Sequence, residues 1–145
     1  MKKLKGLILL LLVSVTLFSG CCDENNKGEI IETSQTTSAE GNYGYEQISQ
    51  EEAKGIMDTQ TDYILIDART TEEFNEGHIE GAILIPEYEI AIRAEKELPK
   101  KDKLILVYCR SGRRSKIASQ ILSDMGYSNV KEFGGIIDWQ YEIVK

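Results

Sequence analysis

Cysteine and histidine are scarce in this chain of 145 residues, which carries three cysteines, at 21, 22 and 109, and a single histidine, His78. With Cys109 the lone thiol after residue 22, no disulfide can close inside a domain built from the C-terminal part. One cysteine and one histidine far apart are too few ligands for a metal site. A redox Cys-x-x-Cys pair is absent, since Gly112 stands where its second cysteine would be. Positive charge is also in short supply, with 17 basic against 24 acidic residues and a formal charge of −7. That balance argues against nucleic acid as a partner and leaves no basic patch for anionic lipid. There is no internal repeat. A chain of this length, 41% hydrophobic and 28% charged, has room for one domain. No metal and no cofactor are expected.

No apolar run reaches the roughly 20 residues that a spanning helix needs. The longest, Leu7 to Phe18, follows Lys2, Lys3 and Lys5 and ends at the small pair Ser19-Gly20 before Cys21. Residues 1–20 therefore read as a targeting segment. The junction resembles the lipobox of bacterial lipoproteins, with Phe18 where leucine is usual. The resemblance implies cleavage before Cys21, lipid on that cysteine, and an extracytoplasmic protein anchored to a bacterial membrane. Loss of the three lysines takes the charge from −7 to −10 for residues 21–145. Residues 21–44 are rich in Asn, Glu, Ser, Thr and Gly, and are expected to be a disordered tether. Cys22 lies in it and could reach Cys109 only through its flexibility. The folded domain is expected over 45–145.

In that region strand and helix signals alternate. Strands are expected at 45–48, 63–67, 82–85, 104–108 and 130–133. Helices are expected from the capping box at Ser49 to Met57, from Thr70 to Gly77, over 88–98 (spacing Tyr88, Ala91, Ile92, Glu95), over 115–125 with Gly126 as stop, and over 135–141. Short apolar strands separated by amphipathic helices predict an α/β fold: a small parallel five-stranded sheet with helices on both faces. Ligands in such sheets sit at the carboxyl ends of strands. Asp67 and Cys109 both lie there.

The strand Leu104–Tyr108 empties into Cys109-Arg110-Ser111-Gly112-Arg113-Arg114-Ser115, which opens the next helix. Guanidinium groups and the unpaired amides of a first helical turn both favour a deprotonated sulfur. Cysteine phosphatases need Cys-x5-Arg, but here the sixth residue after Cys109 is Ser115. The smaller cradle suits a sulfur atom better than a phosphate.

Four segments in order resemble single-domain rhodaneses, a sulfurtransferase family. They are Ile64-Leu65-Ile66-Asp67-Ala68-Arg69 with the acidic helix after it, Gly77-His78-Ile79-Glu80-Gly81-Ala82, the Cys109–Ser115 loop, and Gly134-Gly135-Ile136-Ile137-Asp138-Trp139. The resemblance covers residues 45–145. It implies that Cys109 carries sulfane sulfur as a persulfide, from a small anionic donor such as thiosulfate to a thiol or cyanide. The alternative is a sulfur-carrying module of the same fold that turns over poorly alone.

Loop amides from Arg110 to Arg114, opened by Gly112, would stabilise the persulfide and the leaving anion. Arg110 and Arg114 are the candidates for the donor's anionic end, because a guanidinium fork suits a sulfonate-like group. Ser111 and Arg113 belong to the same loop, with Arg113 turned to solvent. Ser115 is either ligand or N-cap. Asp67 and Arg69 are expected to pair and support the loop. His78 is expected to be structural, Gly134-Gly135 to form a tight turn, and Trp139 to be core. The expected state is a monomer.

Overall fold

The computed structural model describes residues 44–145. The targeting segment 1–20, Cys21, Cys22 and nearly all of the tether lie outside the described residues. Five strands form one parallel sheet: β1 (Glu46–Gln47), β2 (Tyr63–Asp67), β3 (Ile83–Leu84), β4 (Leu104–Cys109) and β5 (Val130–Gly135), in the order β1-β5-β4-β2-β3. Four helices alternate with them: α1 (Gln50–Thr59), α2 (Thr71–Glu76), α3 (Ile90–Glu97) and α4 (Arg113–Asp124). The fold is α/β, as the patterning predicts. Among the described residues no helix is long and apolar enough to cross a membrane.

The helix starts follow local chemistry. The Ser49 hydroxyl accepts the Glu52 N–H at 3.1 Å while the Glu52 carboxylate accepts the Ser49 N–H at 2.8 Å. Thr70 and Glu73 repeat this reciprocal pair at the start of α2. At the end of α4, Gly126 takes φ 88°, and Tyr127 N–H closes back on the Leu122 carbonyl at 3.1 Å. That bond requires a left-handed residue, which is glycine's usual role in this cap.

Alternation along the strands divides the core. On one face Ile66, Ile105, Val107 and Cys109 pack with Ile90, Ala94 and Leu98 of the α3 region and with Ala118 and Leu122 of α4. On the other, Leu65, Leu106, Tyr108 and Phe133 pack with Ala53 of α1 and Ile79. Each fully buried Leu, Ile or Val contributes about 1.5–3 kcal/mol. Strand β4 is buried from Ile105 to Cys109, so it anchors both layers and ends in the thiol.

Several boundaries differ from the sequence reading. A 3-10 turn at Glu87–Glu89 precedes α3, whose packed face is the i, i+4, i+8 stripe of Ile90, Ala94 and Leu98, while Tyr88 and Ile92 stand 65% and 82% exposed. The spacing Tyr88, Ala91, Ile92, Glu95 marks the solvent side. Helix α4 begins at Arg113, two residues early, because Gly112 (φ 92°) rather than Ser115 occupies the cap position. Strand β5 runs on through Gly134-Gly135, and the expected last helix shrinks to a 3-10 turn at Ile136–Asp138.

Candidate active site

Parallel pairing puts the ends of β2 and β4 side by side, Asp67 opposite Tyr108. Cys109 is the last residue of β4, 1% exposed, and a free thiol. Its sulfur sits against the apolar layer of α3 and α4 rather than in an open loop. The Gly112 N–H donates to Sγ at 3.2 Å. Of the amides expected to turn inward, this one reaches the sulfur. Helix geometry leaves the next N–H groups, at the start of α4, without intrahelical acceptors, and the positive end of the helix dipole adds to their pull on an anion.

The loop keeps this shape because its carbonyls are held outward. The Arg110 carbonyl accepts the Ile137 N–H at 3.2 Å, and the Gly112 carbonyl accepts the Lys116 N–H at 3.2 Å. Between β4 and β5 the register slips, taking Val107 opposite Glu132 but Cys109 opposite Gly135. The slip lays the loop directly on Gly135. A Cβ at that position would lie 2.3 Å from the Arg110 oxygen and 2.5 Å from the Ser111 Cα. Gly134, at φ 92°, kinks β5 in place of the expected tight turn, whereas Gly135 is needed for close approach.

The expected site residues fall into two groups. Arg110, Ser111 and Arg113 are exposed on the loop, with Gly112 buried beneath them. Arg114 instead forks onto Glu73 of α2, Nη1 to Oε2 at 2.7 Å and Nη2 to Oε1 at 2.8 Å. Its guanidinium is raised above the ordinary arginine range, chiefly by the hydrogen bond to Glu73, with burial opposing it. Ser115 is fully buried; its hydroxyl turns to the Glu132 carboxylate at 2.6 Å and to the Gly112 carbonyl at 2.9 Å, so it is not the N-cap.

Asp67 and Arg69 pair as expected, with Arg69 Nη2 2.6 Å from Asp67 Oδ2. The same nitrogen reaches the Gly77 carbonyl at 2.7 Å and so ties β2 to the turn before Ile79. Burial first, then Asp67 beside it, push the Tyr108 phenol well above its ordinary range, so it stays a neutral hydroxyl. That hydroxyl accepts the Ile79 N–H at 3.1 Å. His78 stacks on Phe74 at 3.7 Å and exchanges backbone bonds with Val144, both structural contacts. Trp139 packs on Phe133, with ring centroids 5.7 Å apart.

Two contacts escaped the sequence reading. Glu73 looks like a helix-capping residue, and its second duty toward Arg114 has no sequence signal 41 positions away. Glu132 did leave a signal, an acid between Val130 and Phe133 in a strand, and it is 2% exposed.

Residues 49–142 match the Rhodanese-like domain family. The chain belongs to it. It is 42% identical over 73 residues to the thiosulfate sulfurtransferase PspE of Escherichia coli strain K12, covering 50% of this chain and 70% of that protein. It is 40% identical over 92 residues to a sulfurtransferase of Allochromatium vinosum, covering 63% and 83% respectively. A solved structure described as a rhodanese with anions from E. coli superposes with a TM-score of 0.54 at 40% identity, over 57% of this chain and 98% of that one. The chain is a rhodanese-type sulfurtransferase with the α/β fold of that family.

The Glu73–Arg114 fork gives a pH signature. The Glu73 carboxyl is lowered from an ordinary 4.5 to about 2, chiefly by the Arg114 hydrogen bond, with burial opposing it. A depressed carboxyl contributes stability that is complete above about pH 4.5 and is lost as the pH falls toward 2. The difference in urea midpoint between the wild type and Glu73→Gln should hold steady from about pH 7 to 5, then close below 4.5. A difference unchanged down to about pH 2 would contradict the fork.

Proposed function

We propose that Cys109 is the sulfur-carrying nucleophile and that thiosulfate or a persulfide is the donor. In the first step the Cys109 thiolate attacks the outer sulfur of thiosulfate. A Cys109–S bond forms, the S–S bond of thiosulfate breaks, and sulfite leaves with the electron pair. In the second step an acceptor thiolate or cyanide attacks the outer sulfur of the Cys109 persulfide. Acceptor persulfide or thiocyanate departs, and the Cys109 thiolate returns.

The observation carrying this reading is the Gly112 N–H aimed at Cys109 Sγ from the N-terminus of α4. A donor placed there stabilises anionic sulfur before and after transfer. The burial of Cys109 also fits: a persulfide carries its reactive atom about 2 Å farther out than the thiol sulfur. The exposed guanidinium of Arg110 is the better-placed group for the donor's sulfonate-like end, because Arg114 is engaged by Glu73. The E. coli relatives, one named a thiosulfate sulfurtransferase and one solved with anions, support a small anionic donor.

A second reading rests on the 1% exposure of Cys109. A thiol so enclosed suits a sulfur carrier loaded and unloaded by partner proteins, with slow turnover on small molecules. Sulfite release from thiosulfate by the protein, with cyanide as acceptor, separates the two. Multiple turnovers that vanish in Cys109→Ser support the enzyme, a single equivalent supports the carrier, and wild-type turnover in Cys109→Ser removes both.

The N-terminal pattern supports an extracytoplasmic sulfurtransferase tethered to a bacterial membrane by lipid on Cys21. Labelled palmitate fed to cells expressing the full chain should enter the protein and be lost in Cys21→Ser. Equal labelling of that variant would defeat the anchor.

A further inference from the structure

Strand β5 carries Val130 and Phe133 into the core, and between them Glu132 buries a carboxyl group. An apolar residue would be cheaper to bury there, since a carboxyl out of water needs partners for its lone pairs. Stability alone therefore does not account for it. The chemistry proposed above makes no use of it either.

Its contacts all lead to the reactive loop. Oε1 accepts the Ser115 hydroxyl at 2.6 Å and the Gly134 N–H at 2.8 Å. The same oxygen lies 3.9 Å from where a Cβ on Gly112 would stand. One atom thus joins the first turn of α4 to the Gly134 kink of β5, directly under Gly112. The Ser115 hydroxyl has a single proton to give. The 2.6 Å contact to the acid is shorter than those to the Gly112 and Gly134 carbonyls, at 2.9 and 3.3 Å. That proton belongs on the carboxylate, and the Gly112 carbonyl is left to Lys116 N–H. Anchoring Ser115 fixes the first turn of α4 and with it the Gly112 backbone at φ 92°, whose N–H is the group on Cys109 Sγ.

We propose that Glu132 is a positioning residue for sulfur transfer: it locks Ser115 and Gly134 together so that the Gly112 amide points at Cys109. Its charge is not the useful property. Negative charge beneath a cradle for anions opposes their binding, so the benefit lies in length and hydrogen-bond geometry. The proposal rests on the reading of Cys109 as nucleophile.

Two conservative changes separate geometry from charge. Glu132→Gln keeps the side-chain length and an acceptor oxygen without the carboxylate. Glu132→Asp keeps the carboxylate but is one methylene too short to reach both partners. With thiosulfate and cyanide, Glu132→Gln should stay within about threefold of wild-type kcat. Glu132→Asp should lose at least about tenfold in kcat, with little change in KM and a parallel loss in the rate of Cys109 alkylation by iodoacetamide. Glu132→Leu serves as a third variant should the aspartate not fold. It removes the shared acceptor altogether and, with its fold checked by circular dichroism, should lose kcat like the aspartate.

Wild-type kcat in Glu132→Asp or Glu132→Leu overturns the proposal. So does an equal fall in Glu132→Gln and Glu132→Asp, which would assign the effect to something other than bond geometry. Turnover persisting in Cys109→Ser would instead sink the nucleophile reading itself. An inactive Cys109→Ser with unaffected Glu132 variants sinks only the role of Glu132.

Discussion

The Cys109–Ser115 loop lies on Gly135 with no room for a methyl group between them, since a Cβ there would come within 2.3 Å of the Arg110 carbonyl oxygen. The rest of the site depends on that contact. The register slip between β4 and β5 sets the end of β5 beside Cys109. The Ile137 N–H then takes the Arg110 carbonyl outward, and Gly112 turns through φ 92° to bring its own N–H onto the sulfur. A bulge in a ladder is a common way to re-aim a strand end near a functional site. Here it re-aims a whole loop.

Around that contact the charges are arranged in layers. Arg69 is committed to Asp67 and the Gly77 carbonyl, and Arg114 to Glu73. These pairs join β2, α2 and α4 around the ends of β2 and β4. The exposed arginines of the loop, Arg110 and Arg113, stand outside these pairs. These two exposed cations, close together on an otherwise acidic chain, fit the small anionic donor proposed above. The Cys109 thiol is buried and has little contact with solvent, which limits its loss to adventitious oxidation.

Much of this was legible in the residues. Apolar runs such as Leu104–Tyr108 identified the strands, and the Ser49 and Thr70 capping boxes marked two helix starts to within a residue. The loop and the Asp67–Arg69 pair were readable because their partners are close in sequence. What the pattern could not carry were contacts made by the fold. The expected face of α3 fails because the sequence holds two helical stripes there, and the fold buries Ile90, Ala94 and Leu98 rather than the Tyr88, Ala91, Ile92, Glu95 set. Helix α4 started early because a left-handed glycine can stand in for a side-chain cap. Arg114 looked free to bind a ligand, since its partner Glu73 sits 41 residues upstream. The purpose of Gly135 shows only when the loop is seen lying against it.

The most direct measurement is the rate at which Cys109 takes sulfur from thiosulfate in Gly135→Ala, read as the gain of one sulfur atom by intact mass, beside a circular dichroism check of the fold. The steric contact with Arg110 and Ser111 predicts a folded protein whose loading is slowed by about a hundredfold or more, because the Gly112 amide is displaced from the sulfur. Loading at the wild-type rate would mean that the close approach of β5 does not shape the site, and would contradict the account.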